Sequence, residues 1–129
     1  MNRQQVIDDI KETLGKVPGF IQSLPDDTLE NEWGLFKRFE LQETSIPPKY
    51  RELMGLTAAS VLHCWYCALF HKAMAQMHGA TEEEIQEAVH LAKFTNGWST
   101  YLNGSVYDKD KYTKELHDIG EYVMAHTTN

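Results

Sequence analysis

Apolar residues recur three and four positions apart along nearly the whole chain, and no stretch sustains the alternation of a half-buried strand. That periodicity restricts the chain to an all-α fold. Val6, Ile7, Ile10 and Leu14 form one helical stripe, closed by Gly15 and Pro18, because Gly accepts the left-handed position after a helix and Pro cannot continue one. A second helix is expected from DDTLE, with Asp27 as its cap and Glu30 three residues on. It turns Trp33, Phe36 and Phe39 toward a core and ends near Glu43. TSIPPKY opens a third helix, since Pro is tolerated in a first turn.

From Lys49 to His78 only Gly55 interrupts the pattern, which permits about thirty continuous helical residues, longer than globular helices usually run. Periodicity does not mark where this run breaks. Gly79 ends it, and Thr81 with Glu84 forms a capping box for a helix carrying Ile85, Ala88, Val89 and Ala92 on one face, with TNGW as a candidate interruption. A last helix is expected to take Tyr112, Leu116, Ile119 and Val123 inward, and AHTTN to fray.

At 129 residues and 42% apolar content the chain is long enough to bury a core without disulfides or metal, so one domain over residues 1–129 is expected. The amino-terminal MNRQQVIDDIKETL lacks the apolar run of a secretory signal, and nothing approaches a membrane span. A cytoplasmic setting is therefore expected. In that reducing compartment a close cysteine pair is more often catalytic, redox-sensing or metal-binding than a staple. The net charge of −7 argues against nucleic acid as a partner, because phosphate binding depends on clustered Lys and Arg.

Both cysteines lie in HCWYCALFH, residues 63–71. At about 100° per residue, Cys64, Cys67 and His71 fall within roughly 60° of one helix face. Thiols three apart are within disulfide reach, and a histidine four residues after Cys67 lies over it. A thiol of ordinary pKa, about 8.5, is only a few per cent ionised at neutral pH, so a neighbouring base activates it. Attack on a peroxide leaves a sulfenic acid, which the second thiol condenses to a disulfide, so two cysteines complete an oxidative half-cycle with no cofactor. An external dithiol must then reduce the pair. Two other readings stand beside this one. His63, Cys64, Cys67 and His71 are all zinc-ligand types, although His63 on a continuous helix points about 260° around and away from a common centre. The cysteines are alternatively small core residues, with His71 satisfied among them.

Upstream of this segment Glu52 completes the pattern Glu, eleven residues, Cys, two residues, Cys, three residues, His. This pattern resembles the AhpD-like alkyl hydroperoxidase branch of the carboxymuconolactone decarboxylase family, and the surrounding organisation, including GATEEEIQEAV, is similar over residues 20–125. The resemblance implies an AhpD-like fold of about six helices, assembled as a trimer or hexamer. The first cysteine would start a central helix after a turn near His63. It also implies that Cys67 is the thiol oxidised by hydroperoxide, that Cys64 resolves it, and that Glu52 and His71 move the proton. Tyr66 stands where well-characterised members carry a histidine, and a phenol with a pKa near 10 hardly shuttles protons at neutral pH. General thiol–disulfide exchange and redox sensing are the corresponding variants. His63 and Tyr66 are secondary candidates in the site.

Overall fold

The computed structural model describes residues 1–127, which form seven α-helices and, among the described residues, no strand. Helix α1 (Arg3–Leu14) opens with the capping box of Asn2 and Gln5 and closes at Gly15, whose φ of 74° is the left-handed conformation expected of a glycine there. A one-turn helix α2 (Gly19–Gln22) and helix α3 (Asp26–Phe36) fold over it. Val6 and Ile10 of α1 bury against Ile21, Leu29 and Trp33. The indole Nε1 of Trp33 donates to Asp9 at 2.7 Å, and Lys37 reaches the same carboxylate at 2.7 Å. The bonds from Lys37 and Trp33 hold the Asp9 carboxyl below its usual range.

Helix α3 runs straight into a π-helical turn, Lys37–Leu41, in which the Gln42 amide donates to the Lys37 carbonyl five residues back. Two expectations change here. The cap of α3 is Pro25 rather than Asp27, and Asp26 and Asp27 instead occupy the first turn, where the helix dipole favours negative charge. Phe39 is exposed rather than buried, because the widened turn carries it off the stripe that Trp33 and Phe36 share.

Helices α4 (Pro48–Leu62), α5 (Trp65–Met77) and α6 (Glu82–Gly104) make the second layer of packing, with α4 against both others. Glu52, Leu56 and Ala59 recur at i, i+4 and i+7 on the buried face of α4. Ala75 of α5 and Ile85 and Ala92 of α6, the helices packed on α4, are buried as well, and the short alanine side chains permit close helix approach. The expected capping box at Thr81 and Glu84 is present, and the second oxygen of Glu84 reaches Lys49 of α4 at 2.7 Å.

The long apolar run from Lys49 divides at His63 and Cys64. His63 takes the left-handed conformation (φ 55°) after α4, and Cys64 is extended as the N-cap of α5. A non-glycine residue in that region costs about 1–2 kcal/mol. Folding α5 back onto α4 buries the shared face and offsets it.

The TNGW segment does not interrupt α6, which continues to Gly104. An isolated Gly costs a helix interior only about 1 kcal/mol relative to Ala. The last helix, α7 (Lys109–His126), departs from expectation: it contains no buried residue, and Tyr112, Leu116, Ile119 and Val123 are all exposed. The stripe is present but stays uncovered among the described residues: Tyr112, Leu116 and Ile119 form with Phe94, Trp98 and Leu102 of α6 the walls of an open groove. Ala125 and His126 remain helical, while Thr128 and Asn129 of the AHTTN segment lie outside the described residues.

Candidate active site

The elbow between α4 and α5 places Cys64 at the N-cap and Cys67 in the first turn of α5. The Cys67 amide donates to Sγ of Cys64 at 3.2 Å, so Cys64 caps the helix with its own sulfur. The sulfurs are joined as a disulfide across a Cα–Cα distance of 5.3 Å, within the normal range for such a bond. Cys67 is exposed and Cys64 half-buried, so within the chain they are not core residues.

One turn further along α5, His71 lies against α4. Its Nδ1 is 2.8 Å from Oε2 of Glu52, whose side chain is completely buried. A buried carboxylate needs compensation, and the other oxygen receives it from Nε of Arg51 at 3.1 Å. Arg51 also donates to the backbone carbonyls of Gln42 (2.5 Å) and Glu40 (3.0 Å), tying the π-turn to α4. Phe70 packs edge-on to His71 at 5.3 Å and meets Phe36, linking the imidazole to the aromatic layer over the amino-terminal core.

Gly55 makes this arrangement possible. It lies one turn after Glu52 on α4, and a Cβ there would fall 2.5 Å from Cε1 and Nδ1 of His71 and 2.7 Å from Cγ. The imidazole thus rests on bare backbone. We expect Gly55→Ala to push the ring off Glu52, lowering stability by about 1–3 kcal/mol through overpacking. A thermal melt and the His71 imidazole NMR signals check this, and an unshifted signal would contradict it.

A second carboxylate, which sequence reasoning missed, completes the cluster. Glu40 projects from the π-turn so that Oε2 sits 4.0 Å from Nδ1 of His71, and that oxygen is buried without a hydrogen-bond partner. The ligating atoms of Glu40, Glu52 and His71 all lie within 4.8 Å of one another. Burial, and next the neighbouring Glu52, push the Glu40 carboxyl above its ordinary range, against the opposing pull of His71 and Arg51. A signal did exist: Glu40 follows Trp33 by seven residues and Phe36 by four, which puts a carboxylate on the apolar stripe of α3.

His63 and Tyr66 do not join the cluster. His63 borders a groove beside Val89, Lys93 and Gly97 of α6, and Tyr66 is exposed with its ring against Trp65. Among the described residues, no group of close metal-ligating side chains includes Cys64, Cys67 or His63. The four-ligand zinc arrangement is therefore not assembled.

These features define an all-helical protein with a disulfide-linked cysteine pair at a helix amino terminus, its second member exposed, and one turn on a half-buried histidine bonded to a buried glutamate. The chain belongs to the carboxymuconolactone decarboxylase family, whose model matches residues 27–105. Among solved structures it is similar to the alkylhydroperoxidase AhpD core from Rhodospirillum rubrum. That similarity has 24% identity and a TM-score of 0.72, covering 85% of this chain and 84% of the other. The fold is accordingly AhpD-like. No curated protein matches the chain.

Proposed function

We propose that this chain is a thiol-dependent peroxidase that reduces hydroperoxides through the Cys64–Cys67 pair, with Glu52 and His71 as its proton relay. The observation that carries this reading is the contact between the buried Glu52 and His71, which follows Cys67 by one turn of α5. Glu52 accepts from Nδ1–H of His71, which leaves Nε2 as the basic nitrogen for the thiol. In the reduced enzyme His71 takes the Cys67 proton. The thiolate attacks the terminal peroxide oxygen, the O–O bond breaks, and the departing alkoxide receives a proton to become an alcohol. Cys67 is left as a sulfenic acid, oxidised by two electrons. Cys64 then attacks that sulfur, water leaves, and the disulfide forms. An external dithiol returns two electrons and two protons.

Cys67 is the better attacking group on two grounds. It is the exposed member of the pair, and it lies one turn before His71, the nearby base; the helix dipole and the Cys67 amide favour the capping Cys64 instead, and access together with a base outweighs them. The flanking Leu62, Trp65, Tyr66 and Leu69 are exposed apolar side chains, which suits organic hydroperoxides over hydrogen peroxide. The similarity to an alkylhydroperoxidase core supports the same substrate class.

Stopped-flow loss of free thiols after adding cumene hydroperoxide to the reduced protein tests the proposal. Loss of both thiols about 10²-fold faster than for a free cysteine is expected. A free-thiol rate would remove the peroxidase reading, and disulfide substrates would become the next assay, consistent with the exposed Tyr66 at the position of the relay histidine.

The site belongs, on this reading, to a homo-oligomer in a reducing cytoplasm. Phe94, Trp98 and Tyr101 of α6 and Leu116, Ile119 and Val123 of α7 are all exposed, and large exposed apolar patches mark association surfaces. No helix among the described residues is long and apolar enough to cross a membrane. Sedimentation velocity is expected to give a multiple of the 14.9 kDa chain, and a species of single-chain mass would refute the oligomer.

A further inference from the structure

We propose that Glu40 is a positioning residue of the relay: held by the π-turn beside Glu52, its carboxyl group faces Nδ1 of His71 as a second proton-holding site whose ionisation sets how strong a base His71 is. This inference rests on the relay reading above and deepens it.

The placement of Glu40 is built into the fold at both ends of the turn. Lys37, which starts the π-turn, is tied to Asp9 of α1, and the carbonyls of Glu40 and Gln42 are held by Arg51 of α4. The widened turn keeps Glu40 directed inward while Phe39 faces out. The result is a carboxyl oxygen that is buried and unpartnered at 4.0 Å from an imidazole nitrogen. An unsatisfied buried oxygen is unusual in a folded protein and calls for an explanation. A proton-holding role supplies one, since the neutral carboxyl carries no charge that burial beside Glu52 would have to compensate.

The charged groups facing Glu40 are Glu52 and Arg51 from α4 and His71 from α5. Two carboxylates around one imidazole do not ionise independently. Where Glu40 is neutral, His71 has a single anionic partner, Glu52, and is the weaker base. Where Glu40 has lost its proton, a second negative charge faces Nδ1, the imidazolium is favoured, and His71 accepts the thiol proton more readily. Rising pH through the Glu40 titration therefore strengthens the base. The same Arg51 guanidinium that bonds Glu52 holds the backbone of Glu40, which keeps the two carboxyls from separating.

The test is an NMR pH titration of the His71 imidazole in the reduced wild-type protein and in Glu40→Gln, run beside the pH dependence of thiol loss with cumene hydroperoxide. The His71 midpoint is expected to fall in the variant by about half a pKa unit or more, a threefold loss of proton affinity. The rate profile should lose its acid-side inflection. An unchanged His71 midpoint overturns the proposal. Should Glu40→Gln fail to fold, Glu40→Ala is titrated in its place, with the same fall in the His71 midpoint expected and an unchanged midpoint refuting the assignment. Because the imidazole titration needs no peroxide, it separates the two readings. A shifted midpoint with a free-thiol rate supports the electrostatic role and removes the peroxidase, whereas a fixed midpoint with fast turnover removes Glu40 alone.

Discussion

Cys67→Ser is expected to abolish peroxide-driven oxidation, leaving Cys64 to react no faster than a free thiol, whereas Cys64→Ser should consume one equivalent of hydroperoxide and stop at a sulfenic acid. The asymmetry follows from position. Cys67 is exposed, lies one turn before His71 and sits in the first turn of α5. Cys64 is half-buried and caps the helix with its sulfur. Removing Cys67 thus removes the group that has both access and a base. Removing Cys64 removes only the partner that condenses with the oxidised sulfur. A dimedone adduct on Cys67, read by mass spectrometry in Cys64→Ser, is the positive result. The reverse pattern, an adduct on Cys64 in Cys67→Ser, would exchange the two roles. Serine at position 64 can still accept from the Cys67 amide, so the α5 cap is retained and the comparison stays chemical.

Much of this site is legible in the sequence, because its spacing survives any all-helical fold. The all-α class follows from periodicity alone, and the capping box at Thr81 and Glu84 appears where it is expected. A shared proton relay of Glu52 and His71 is what the family resemblance implies, and the fold sets the two side chains 2.8 Å apart. The break at His63 was invisible to pattern for a physical reason. No Gly or Pro marks it, and a left-handed histidine is held there by the packing of α5 on α4 rather than by local preference. Glu40 is legible only as a carboxylate on the apolar stripe of α3, since the π-turn that aims it has no composition signature, and Arg51 is not, because its acceptors are backbone carbonyls about ten residues upstream. The inward orientation expected for α7 failed differently. Its amphipathic stripe is real, but periodicity states only that a face is apolar and not which molecule covers it.

Glu52→Gln should retain the fold and lower the rate of peroxide-driven thiol loss by about 10²–10⁴-fold, the usual contribution of general acid–base catalysis. Glutamine keeps the length and shape of the side chain, and its carbonyl oxygen can still accept from Nε of Arg51. Arg51 also keeps its bonds to the carbonyls of Glu40 and Gln42, so its charge is not stranded. What disappears is the anion that orients Nδ1–H of His71 and stabilises the imidazolium as the thiol ionises. Glu52→Ala is expected to do more. It removes the acceptor from a completely buried position and leaves Arg51 and His71 without their shared partner, a loss in the range of about 3–5 kcal/mol for a broken buried ion pair. Thermal melts should therefore separate the variants while stopped-flow rates group them: both slow, but only Glu52→Ala much less stable. If Glu52→Gln oxidises at the wild-type rate, the buried contact is structural and the base for Cys67 lies elsewhere. If it melts as early as Glu52→Ala, the negative charge itself holds α4 and α5 together, and its effect on rate must be measured well below the melting temperature to be assigned to proton transfer.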